Sequence, residues 1–228
     1  MPQTDKYGRT YHFPFSPGAT KDDRVNHNWI EDCQSINQLV FTEKLDGENT
    51  CLSRNGVYAR SHAAPTITPW TSWIRHQWTP KQFDLPENIE LFGENLEGIH
   101  SIEYKNLSSL FYMFAVRDND KDLWLSWNEV QWYAEYFGFP CVPVLGIFPP
   151  IEVEEKVLEI SQSSSIFDSY NPITGEKCTM EGIVVRNIDE FGTSNFRNNV
   201  FKYVSPNHVI TDEHWTKNWK RAKIKGTY

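Results

Sequence analysis

One short segment of the sequence combines a possible nucleophile with acidic side chains. Residues 43–49 read EKLDGEN, so Lys44 stands where a predicted strand ends in a glycine turn, with three carboxylates around it. Alone, this pattern is more typical of a solvated strand end than of a catalytic lysine. However, further short motifs follow on predicted strands: FGE at 92–94, an aromatic run at 111–116, EGIVVR at 181–186 and VFKYV at 200–204. We therefore interpret Lys44 as a candidate nucleophile.

Attack of a lysine amine on a nucleotide α-phosphate would use this combination of residues. The amine must be neutral to react, and at an ordinary lysine pKa of about 10.4 fewer than about 0.1% of molecules are neutral at pH 7. A nearby cation such as Lys202 and a divalent metal would both lower the pKa of Lys44. An aromatic face such as that of Phe114 could stack on a base. The carboxylates that could hold the metal, often through its waters, are Asp46, Glu94 and Glu181.

The patterns around these motifs predict the elements that must position them. The predicted strands are 39–44, 49–54, 57–61, 89–94, 110–118, 124–127, 181–186 and 199–204, with a hairpin turn at Asn55-Gly56. The predicted helices are 68–78, 128–137 and 151–160, and Thr211 would cap a last helix that carries Trp215 and Trp219. Because strands and helices occur in clusters without regular βαβ alternation, we predict an α+β fold. We expect one domain over residues 1–228, built of largely antiparallel sheets flanked by helices.

Charge is unevenly distributed along the chain. The chain has 22 Lys and Arg residues against 30 Asp and Glu, a net charge of −8, which argues against a passive nucleic-acid coat. Residues 201–228 nevertheless carry six basic residues against two acidic ones. We therefore interpret 205–228 as a helical basic tail, either a solvated helix end or a nucleic-acid-contacting segment. The candidate contacts are Lys217, Lys220, Arg221, Lys223 and Lys225, together with Arg9 in the N-terminal arm.

The cysteine spacing and the distribution of apolar residues predict the cellular compartment of the protein. The four cysteines include no CxxC pair, which argues against a zinc ribbon and favours reduced thiols. No stretch approaches about 18 uninterrupted apolar residues, and the N-terminus lacks an apolar signal core. We expect an intracellular (cytoplasmic) protein without membrane contact, and no motif implies an obligate protein partner.

At these motifs the chain resembles the covalent nucleotidyltransferase superfamily of ATP-dependent ligases and capping enzymes. Within that superfamily it resembles the RNA ligases of the phage RNA ligase 2 type. Six family motifs occur in the family's order: KLDGEN at 44–49, Arg60, LFGE at 91–94, YMFAV at 112–116, EGIVVR at 181–186 and the strand around Lys202. Each motif alone is a weak signal, but the occurrence of all six in this order makes the resemblance specific.

The resemblance implies an ATP-dependent RNA ligase that uses Mg²⁺ (or Mn²⁺) to join a 5′-phosphate end to a 3′-hydroxyl end. Lys44 would attack ATP to form a lysyl-AMP, the AMP would pass to the 5′-phosphate, and the 3′-hydroxyl would then displace AMP. Glu181 would orient the hydrated metal. The implied nucleotide contacts are Glu94 and Arg60 on the ribose hydroxyls, Phe114 on adenine, the main chain of Glu43 at the adenine edge, Asn49 on the ribose or a phosphate, and Lys202 on the α-phosphate.

Three features depart from the family pattern. Val200 and Val204 flank Lys202 at the spacing where the fifth motif usually has a second lysine, and Arg186 stands where the fourth motif commonly ends in lysine. Only 24 residues follow Val204, so we expect no OB-fold domain of the kind that DNA ligases and capping enzymes carry. Two alternatives stay open. One is a nick-sealing ligase acting on DNA or RNA/DNA hybrids, and the other is a non-ligating module that binds nucleic-acid ends.

Overall fold

The computed structural model describes residues 6–60, 64–206 and 215–226. These residues form strands β1 (Tyr11–His12), β2 (Leu39–Lys44), β3 (Glu48–Ser53), β4 (Gly56–Ala59), β5 (Ile89–Asn95), β6 (Glu103–Tyr104), β7 (Phe111–Asp118), β8 (Leu123–Trp124), β9 (Val144–Phe148), β10 (Ser169–Tyr170), β11 (Gly182–Asn187), β12 (Phe191–Gly192) and β13 (Val200–Val204). The α-helices are α1 (Trp29–Gln34), α2 (Ser72–Trp78), α3 (Trp127–Phe137), α4 (Val153–Ile160) and α5 (Phe196–Asn199). Short 3₁₀ turns lie at Pro69–Thr71, Gln82–Asp84, Pro150–Glu152, Thr193–Asn195 and Trp215–Asn218. Among these helices none is long and apolar enough to span a bilayer.

Two sheets form the framework of the described residues. The first sheet has the strand order β1-β13-β11-β2-β9, and the second has the order β12-β8-β7-β5-β3-β4. Neighbouring strands are antiparallel except β1 and β13, which run parallel. Strands β6 and β10 form a separate antiparallel pair. The predicted α+β fold of largely antiparallel sheets is therefore confirmed.

The first sheet packs against helices on one of its faces. Leu39 and Phe41 of β2 belong to an apolar cluster with Cys33 of α1 and Val157 of α4. Residues two apart in a strand point to the same face, which explains why Leu39 and Phe41 share this cluster. All four cysteines of the chain are free thiols, as predicted.

The second sheet has one face toward the first sheet and one toward helices. Cys51 and Phe92 belong to a cluster that includes Val200 of β13. Their chain neighbours Leu52 and Leu91 instead pack in the large cluster that contains residues of α2 and α3. Alternate residues of the second sheet therefore face the first sheet, and residues at the strand ends line the crevice between the two sheets.

Two sequence-based assignments need correction between β8 and β9. The strand predicted over 124–127 is limited to Leu123–Trp124, because Ser126 caps α3. The Ser126 N–H donates to Glu129 Oε2 at 2.9 Å, and the Glu129 N–H donates to Ser126 Oγ at 3.4 Å, forming a capping box. Strand β9 was not predicted, since prolines flank it and Gly146 interrupts it; it forms an edge of the first sheet.

The C-terminal segment follows a neighbouring loop instead of forming the predicted helix. Beyond the single 3₁₀ turn Trp215–Asn218, its backbone bonds to residues 97–107. The Ala222 N–H donates to the Glu97 carbonyl at 2.9 Å, and the Lys225 N–H donates to the Leu107 carbonyl at 2.8 Å. The helical prediction is therefore wrong for residues 219–226. Thr211, the predicted cap, lies outside the described residues.

A buried ion pair joins the two central strands of the second sheet. Glu90 of β5 lies opposite Arg117 of β7, and Arg117 Nε donates to Glu90 Oε2 at 3.0 Å. The two side chains are only 2% and 6% exposed, respectively. The guanidinium also lies 5.5 Å from the centre of the Trp124 ring. Removing one partner would leave a charge buried in an apolar environment.

We expect Arg117→Ala to lower the free energy of unfolding by about 3 to 5 kcal/mol, because the Glu90 carboxylate would lose its cation while remaining buried. Urea unfolding at neutral pH measures the change. As a control, Lys156→Ala breaks the exposed Lys156–Glu159 pair on α4 and should cost about 0.5 kcal/mol or less. Equal losses in the two variants would contradict the assigned role of the buried pair.

Candidate active site

A cavity of about 680 Å³ opens beside the turn that follows Lys44, a volume typical of small-molecule sites. Strands of both sheets and the N-terminal arm line it. The predicted site residues on its wall are Arg9, Glu43, Lys44, Asn49, Arg60, Glu94, Phe114 and Lys202. The wall also contains residues that we did not single out as site residues, among them Tyr7, Asp23, His100 and Thr216.

Lys44 ends β2 and forms an ion pair across the first sheet. Strand pairing places Gly182 of β11 opposite Lys44, so Glu181 lies within reach of the amine. Lys44 Nζ donates to Glu181 Oε1 at 2.6 Å, and the two side chains are 26% and 6% exposed, respectively. A Cβ at Gly182 would lie only 2.0 Å from the Tyr203 carbonyl oxygen, so the close strand approach requires glycine. The predicted nucleophile and the predicted metal-orienting carboxylate are therefore direct neighbours.

Asp46 holds the turn that follows Lys44. Its Oδ2 accepts the backbone N–H groups of Ser101 at 2.7 Å and Ile102 at 2.8 Å. Its own N–H donates to the Tyr104 hydroxyl at 2.9 Å. Asp46 does not appear on the cavity wall. Asp46 thus anchors the turn to the loop before β6, and its predicted metal contact stays a prediction.

Glu94 holds the same turn from the second sheet. Its Oε1 accepts the Gly47 N–H at 3.2 Å. A Cβ at Gly47 would lie 2.5 Å from the Asn95 carbonyl oxygen, so only glycine permits this approach. Asn49 lies opposite Glu94 in the sheet, and its buried Oδ1 has no hydrogen-bond partner within the described part of the chain. An acceptor therefore remains available at the cavity wall.

Burial shifts two acidic groups of the cavity, Glu94 and Glu43, toward their neutral forms. Burial raises the pKa of Glu94 to about 8; the positive charge of Lys44 opposes the shift, and the negative charge of Glu181 adds to it. Burial likewise raises the pKa of Glu43 to about 7. Both carboxyl groups therefore titrate near physiological pH.

The carboxylates act on Lys44 in the opposite sense to burial. Burial alone would lower the pKa of Lys44, but the negative charges of Glu181, Glu94 and Asp46 outweigh it and raise the pKa above the ordinary lysine value. Lys44 is therefore protonated at neutral pH in this arrangement. The lowering that we expected from Lys202 is overcome, because the carboxylates around Lys44 outnumber the cations.

Lys202 approaches the cavity from β13. Burial and the positive charge of Lys44 lower the pKa of Lys202, and the negative charge of Asp23 partly opposes that shift. Lys202 Nζ lies 3.6 Å from Asp23 Oδ1. Sequence reasoning missed Asp23, because nothing in the local pattern of the arm indicates that it reaches β13.

Phe114 is the extra residue of a β-bulge. Phe92 pairs with Ala115 and Gly93 pairs with Met113, so no residue of β5 stands opposite Phe114. The half-buried ring lines the cavity and meets the Tyr7 ring edge-on, with 5.1 Å between ring centres. A bulge reorients a side chain, and here it turns an aromatic ring toward the cavity.

Arg186 holds the backbone beside this bulge. Its Nη2 donates to the Leu125 carbonyl at 2.7 Å, and its Nη1 donates to the Phe114 carbonyl at 3.3 Å. Burial lowers its pKa to about 10, so it stays charged at neutral pH. A guanidinium can serve several carbonyls in a fixed geometry, which gives a physical reason for arginine where the family motif commonly has lysine.

The remaining predicted cations are divided between the cavity and the surface. Arg9 and the exposed Arg60 line the cavity. Arg221 instead pairs with the fully buried Glu97, with 2.5 Å between Nη2 and Oε1, and Glu97 also accepts the Ser72 hydroxyl at 2.7 Å. Arg221 therefore anchors the C-terminal segment. The other basic residues of that segment are exposed and do not line the cavity: Lys217, Lys220, Lys223 and Lys225.

The carboxylates suit a hydrated cation better than a directly ligated one. Within the described ranges, no three His, Cys, Asp or Glu side chains are arranged to hold a metal ion. Glu181, and Glu94 when it is ionised, nevertheless contribute negative charge beside Lys44. Their hard oxygens fit a divalent ion that keeps most of its own waters.

The raised pKa of Glu94 generates a stability prediction. Because the folded protein binds the Glu94 proton more tightly than the unfolded chain, stability declines as pH rises from about 4.5 toward 8. Glu94→Gln retains an acceptor for the Gly47 N–H and cannot ionise. We expect it to raise the free energy of unfolding at pH 8.5 by at least about 1 kcal/mol and to have little effect at pH 5.

Urea unfolding at both pH values measures this difference. Glu159→Gln on the exposed face of α4 is the control and should give the same small change at both pH values. A Glu94→Gln effect that does not depend on pH would contradict the assignment.

Comparisons with known proteins place the chain in a family. The family model "RNA ligase" matches residues 37–204, about three quarters of the chain. Comparison with curated proteins gave no significant match. A Naegleria gruberi RNA ligase structure is similar at 23% identity with a TM-score of 0.56, covering 86% of this chain and 57% of that one. An archaeal ATP-dependent RNA ligase is similar at 14% identity with a TM-score of 0.57, covering 88% of this chain and 48% of that one.

At these identities the structural matches show a shared fold, and the chain spans about half to three fifths of the length of those ligases. The family model, by contrast, runs from the start of β2 to the end of β13 and includes every strand that contributes a motif residue to the cavity. The chain therefore belongs to the RNA ligase family.

Proposed function

We propose that this chain is an ATP-dependent RNA ligase that joins a 5′-phosphate end to a 3′-hydroxyl end through an adenylate on Lys44. The observation that carries the proposal is that Lys44 lines a nucleotide-sized cavity and is paired with Glu181, which does not itself line the cavity. Family membership supports it. A related Naegleria gruberi ligase structure was determined with ATP and Mn, which supports ATP and Mg²⁺ or Mn²⁺ as cofactors. The unbroken family match from 37 to 204 supports a single nucleotidyltransferase domain.

In the proposed first step the neutral Lys44 amine attacks the α-phosphorus of ATP. The Lys44 ammonium first gives one proton to solvent. A nitrogen–phosphorus bond then forms, the bond from the α-phosphorus to the bridging oxygen breaks, pyrophosphate leaves with that electron pair, and the nitrogen releases a second proton to solvent. Glu181 must first release Lys44, because their ion pair holds the proton on the amine. A divalent cation held through water by Glu181 and Glu94 would supply positive charge against the phosphates.

The other cavity residues suit the parts of the nucleotide. The Phe114 ring would stack on adenine, and the main chain of Glu43 would meet the adenine edge. Lys202 would contact the α-phosphate. The proposed ribose and phosphate contacts are Glu94, Arg60 and Asn49.

The RNA surface is proposed to combine one residue of the cavity wall with exposed lysines outside the cavity. Arg9 on the cavity wall and the exposed lysines of the C-terminal segment would contact the phosphate backbone: Lys217, Lys220, Lys223 and Lys225. Arg221 was part of our predicted set, but its ion pair with buried Glu97 favours an anchoring role. Neutralising Arg221 would therefore confuse loss of charge with loss of structure.

Lys44→Ala and Lys44→Arg should both abolish protein-AMP formation, because alanine has no amine and a guanidinium stays protonated. The assay incubates the protein with α-labelled ATP and magnesium and measures label that survives denaturation. Sealing of a pre-adenylylated strand should survive at least in part, since that step does not use the free amine. Lys156→Ala on α4 serves as the control.

Undiminished labelling of Lys44→Ala would exclude the covalent mechanism. A wild-type protein that takes up no label would favour the alternative of a module that only binds nucleic-acid ends.

Phe114→Ala should weaken ATP use by about 1 to 3 kcal/mol through loss of base stacking, and Phe114→Tyr should be tolerated. The ATP concentration dependence of labelling measures the effect. Phe83→Ala, which removes an exposed aromatic ring in the 82–84 turn, is the matched control. If Phe114→Ala leaves the ATP dependence unchanged, the ring only packs the bulge.

Replacing Lys217, Lys220, Lys223 and Lys225 with glutamine should weaken RNA binding and flatten its salt dependence. Each lost phosphate contact removes roughly 0.7 from the slope of log affinity against log salt for a single strand. Protein-AMP formation should hardly change, because these lysines do not line the cavity. Lys121→Gln/Lys177→Gln removes exposed charge elsewhere and should leave the slope unaltered. Equal slopes for the wild type and the tail variant would exclude this segment as an RNA contact.

A further inference from the structure

A carboxylate of the N-terminal arm stands between Lys202 and a buried histidine. Asp23 Oδ1 lies 3.6 Å from Lys202 Nζ and 3.3 Å from His12 Nε2. Its second oxygen, Oδ2, accepts the Thr20 N–H at 3.1 Å and the Thr20 hydroxyl at 2.9 Å. Asp23 also lines the cavity, with 28% of its side chain exposed. The carboxylate is therefore fixed by several donors while facing the site.

His12 supports Asp23 from the protein interior. Strand pairing places His12 of β1 opposite Lys202 of β13. His12 Nδ1 lies 2.9 Å from Ser16 Oγ, and that hydroxyl oxygen accepts the Val204 N–H at 2.9 Å. Burial lowers the pKa of His12 to about 4, so the ring is neutral at physiological pH. A neutral ring that accepts the Ser16 hydroxyl at Nδ1 carries its proton on Nε2, which lies 3.3 Å from Asp23 Oδ1 but outside hydrogen-bond geometry.

The charges around Lys202 explain why it needs such a partner. The groups that face it are Asp23 and His12 from the arm, Lys44 from β2 and Glu181 beside β11. Burial and Lys44 favour loss of the Lys202 proton, whereas Asp23 favours its retention. Val200 and Val204 occupy the positions two residues away on the same strand, so β13 presents a single cation.

We propose that Asp23 is a positioning residue for adenylate transfer: it keeps the Lys202 ammonium charged and directed into the cavity, and Thr20 holds the carboxylate in place. This inference rests on the proposed function, in which Lys202 contacts the α-phosphate. Asp23 acts through Lys202 and does not touch the reacting atoms. The arm thereby supplies to the site a charge that strand β13 alone would not maintain.

The pH profile of protein-AMP formation tests this role. The profile is measured at saturating ATP and metal, where Glu181 no longer holds the Lys44 proton. In that state neutral Lys44 is needed for attack and sets the acid limb, whereas charged Lys202 sets the alkaline limb. Without Asp23, Lys202 loses its proton at a lower pH, so the alkaline limb of Asp23→Asn should move to lower pH by roughly one unit. Asp23→Glu retains the charge and should keep the wild-type limb. Asp22→Asn, at the exposed neighbouring position, is the matched control and should match the wild type.

A direct titration separates this inference from the proposed function. Isotope-edited NMR of lysine side chains, with the Lys202 signal assigned from Lys202→Arg, should show a lower Lys202 pKa in Asp23→Asn than in the wild type or Asp22→Asn. An unchanged or higher Lys202 pKa would overturn the inference, as would a uniform loss of activity at all pH values. An Asp23→Asn protein that fails to fold would also overturn it, because Asp23 would then be a structural residue. Absence of label in the wild type would refute the ligase proposal and leave the NMR result to decide the role of Asp23.

Discussion

Three carboxyl groups surround the Lys44 ammonium, and the balance of charge between them and Lys44 is the constraint on which the site depends. Buried charges are costly unless each finds a partner. Glu181 meets this requirement by pairing with Lys44, and Asp46 by accepting two backbone N–H groups. Glu94 meets it by a pKa raised to about 8. Three carboxylates can therefore lie near one lysine because the fold accommodates each in a different way.

This balance depends on how the two sheets meet. Strand β2 belongs to the first sheet and β3 to the second, so the turn after Lys44 carries the chain from one sheet to the other. Close contacts at Gly47 and Gly182 set the approach of the strands on either side of Lys44. Arg186 of β11 then binds the Phe114 carbonyl of β7. The same contacts that join the sheets thus position the candidate nucleophile and the aromatic ring.

Local patterns in the sequence predicted the strands that carry the motifs and eight residues of the cavity wall, because the motif residues lie at strand ends beside glycines. The role of Asp46 was not predictable, since its partners are backbone groups of a loop more than 50 residues away. Asp23 was missed for a similar reason: it reaches β13 only through the parallel pairing of β1. The capping box at Ser126 and Glu129 was present in the sequence and overlooked. The helical spacing of Trp215 and Trp219 was misleading, because the following residues bond to loop 97–107.

The pKa of Lys44 is raised and that of Lys202 is lowered, and this difference bears on when each lysine can act in the proposed reaction. Burial favours the neutral form of both lysines. The carboxylates around Lys44 reverse this effect, whereas those near Lys202 only reduce it. If a bound cation draws Glu181 away, the largest charge that keeps the proton on Lys44 is removed and burial then favours the neutral amine. The nucleophile would become reactive only when the nucleotide is in place. Lys202 lies under the same burial, and before a nucleotide phosphate reaches it Asp23, held by Thr20, is the counter-ion that favours its charged form.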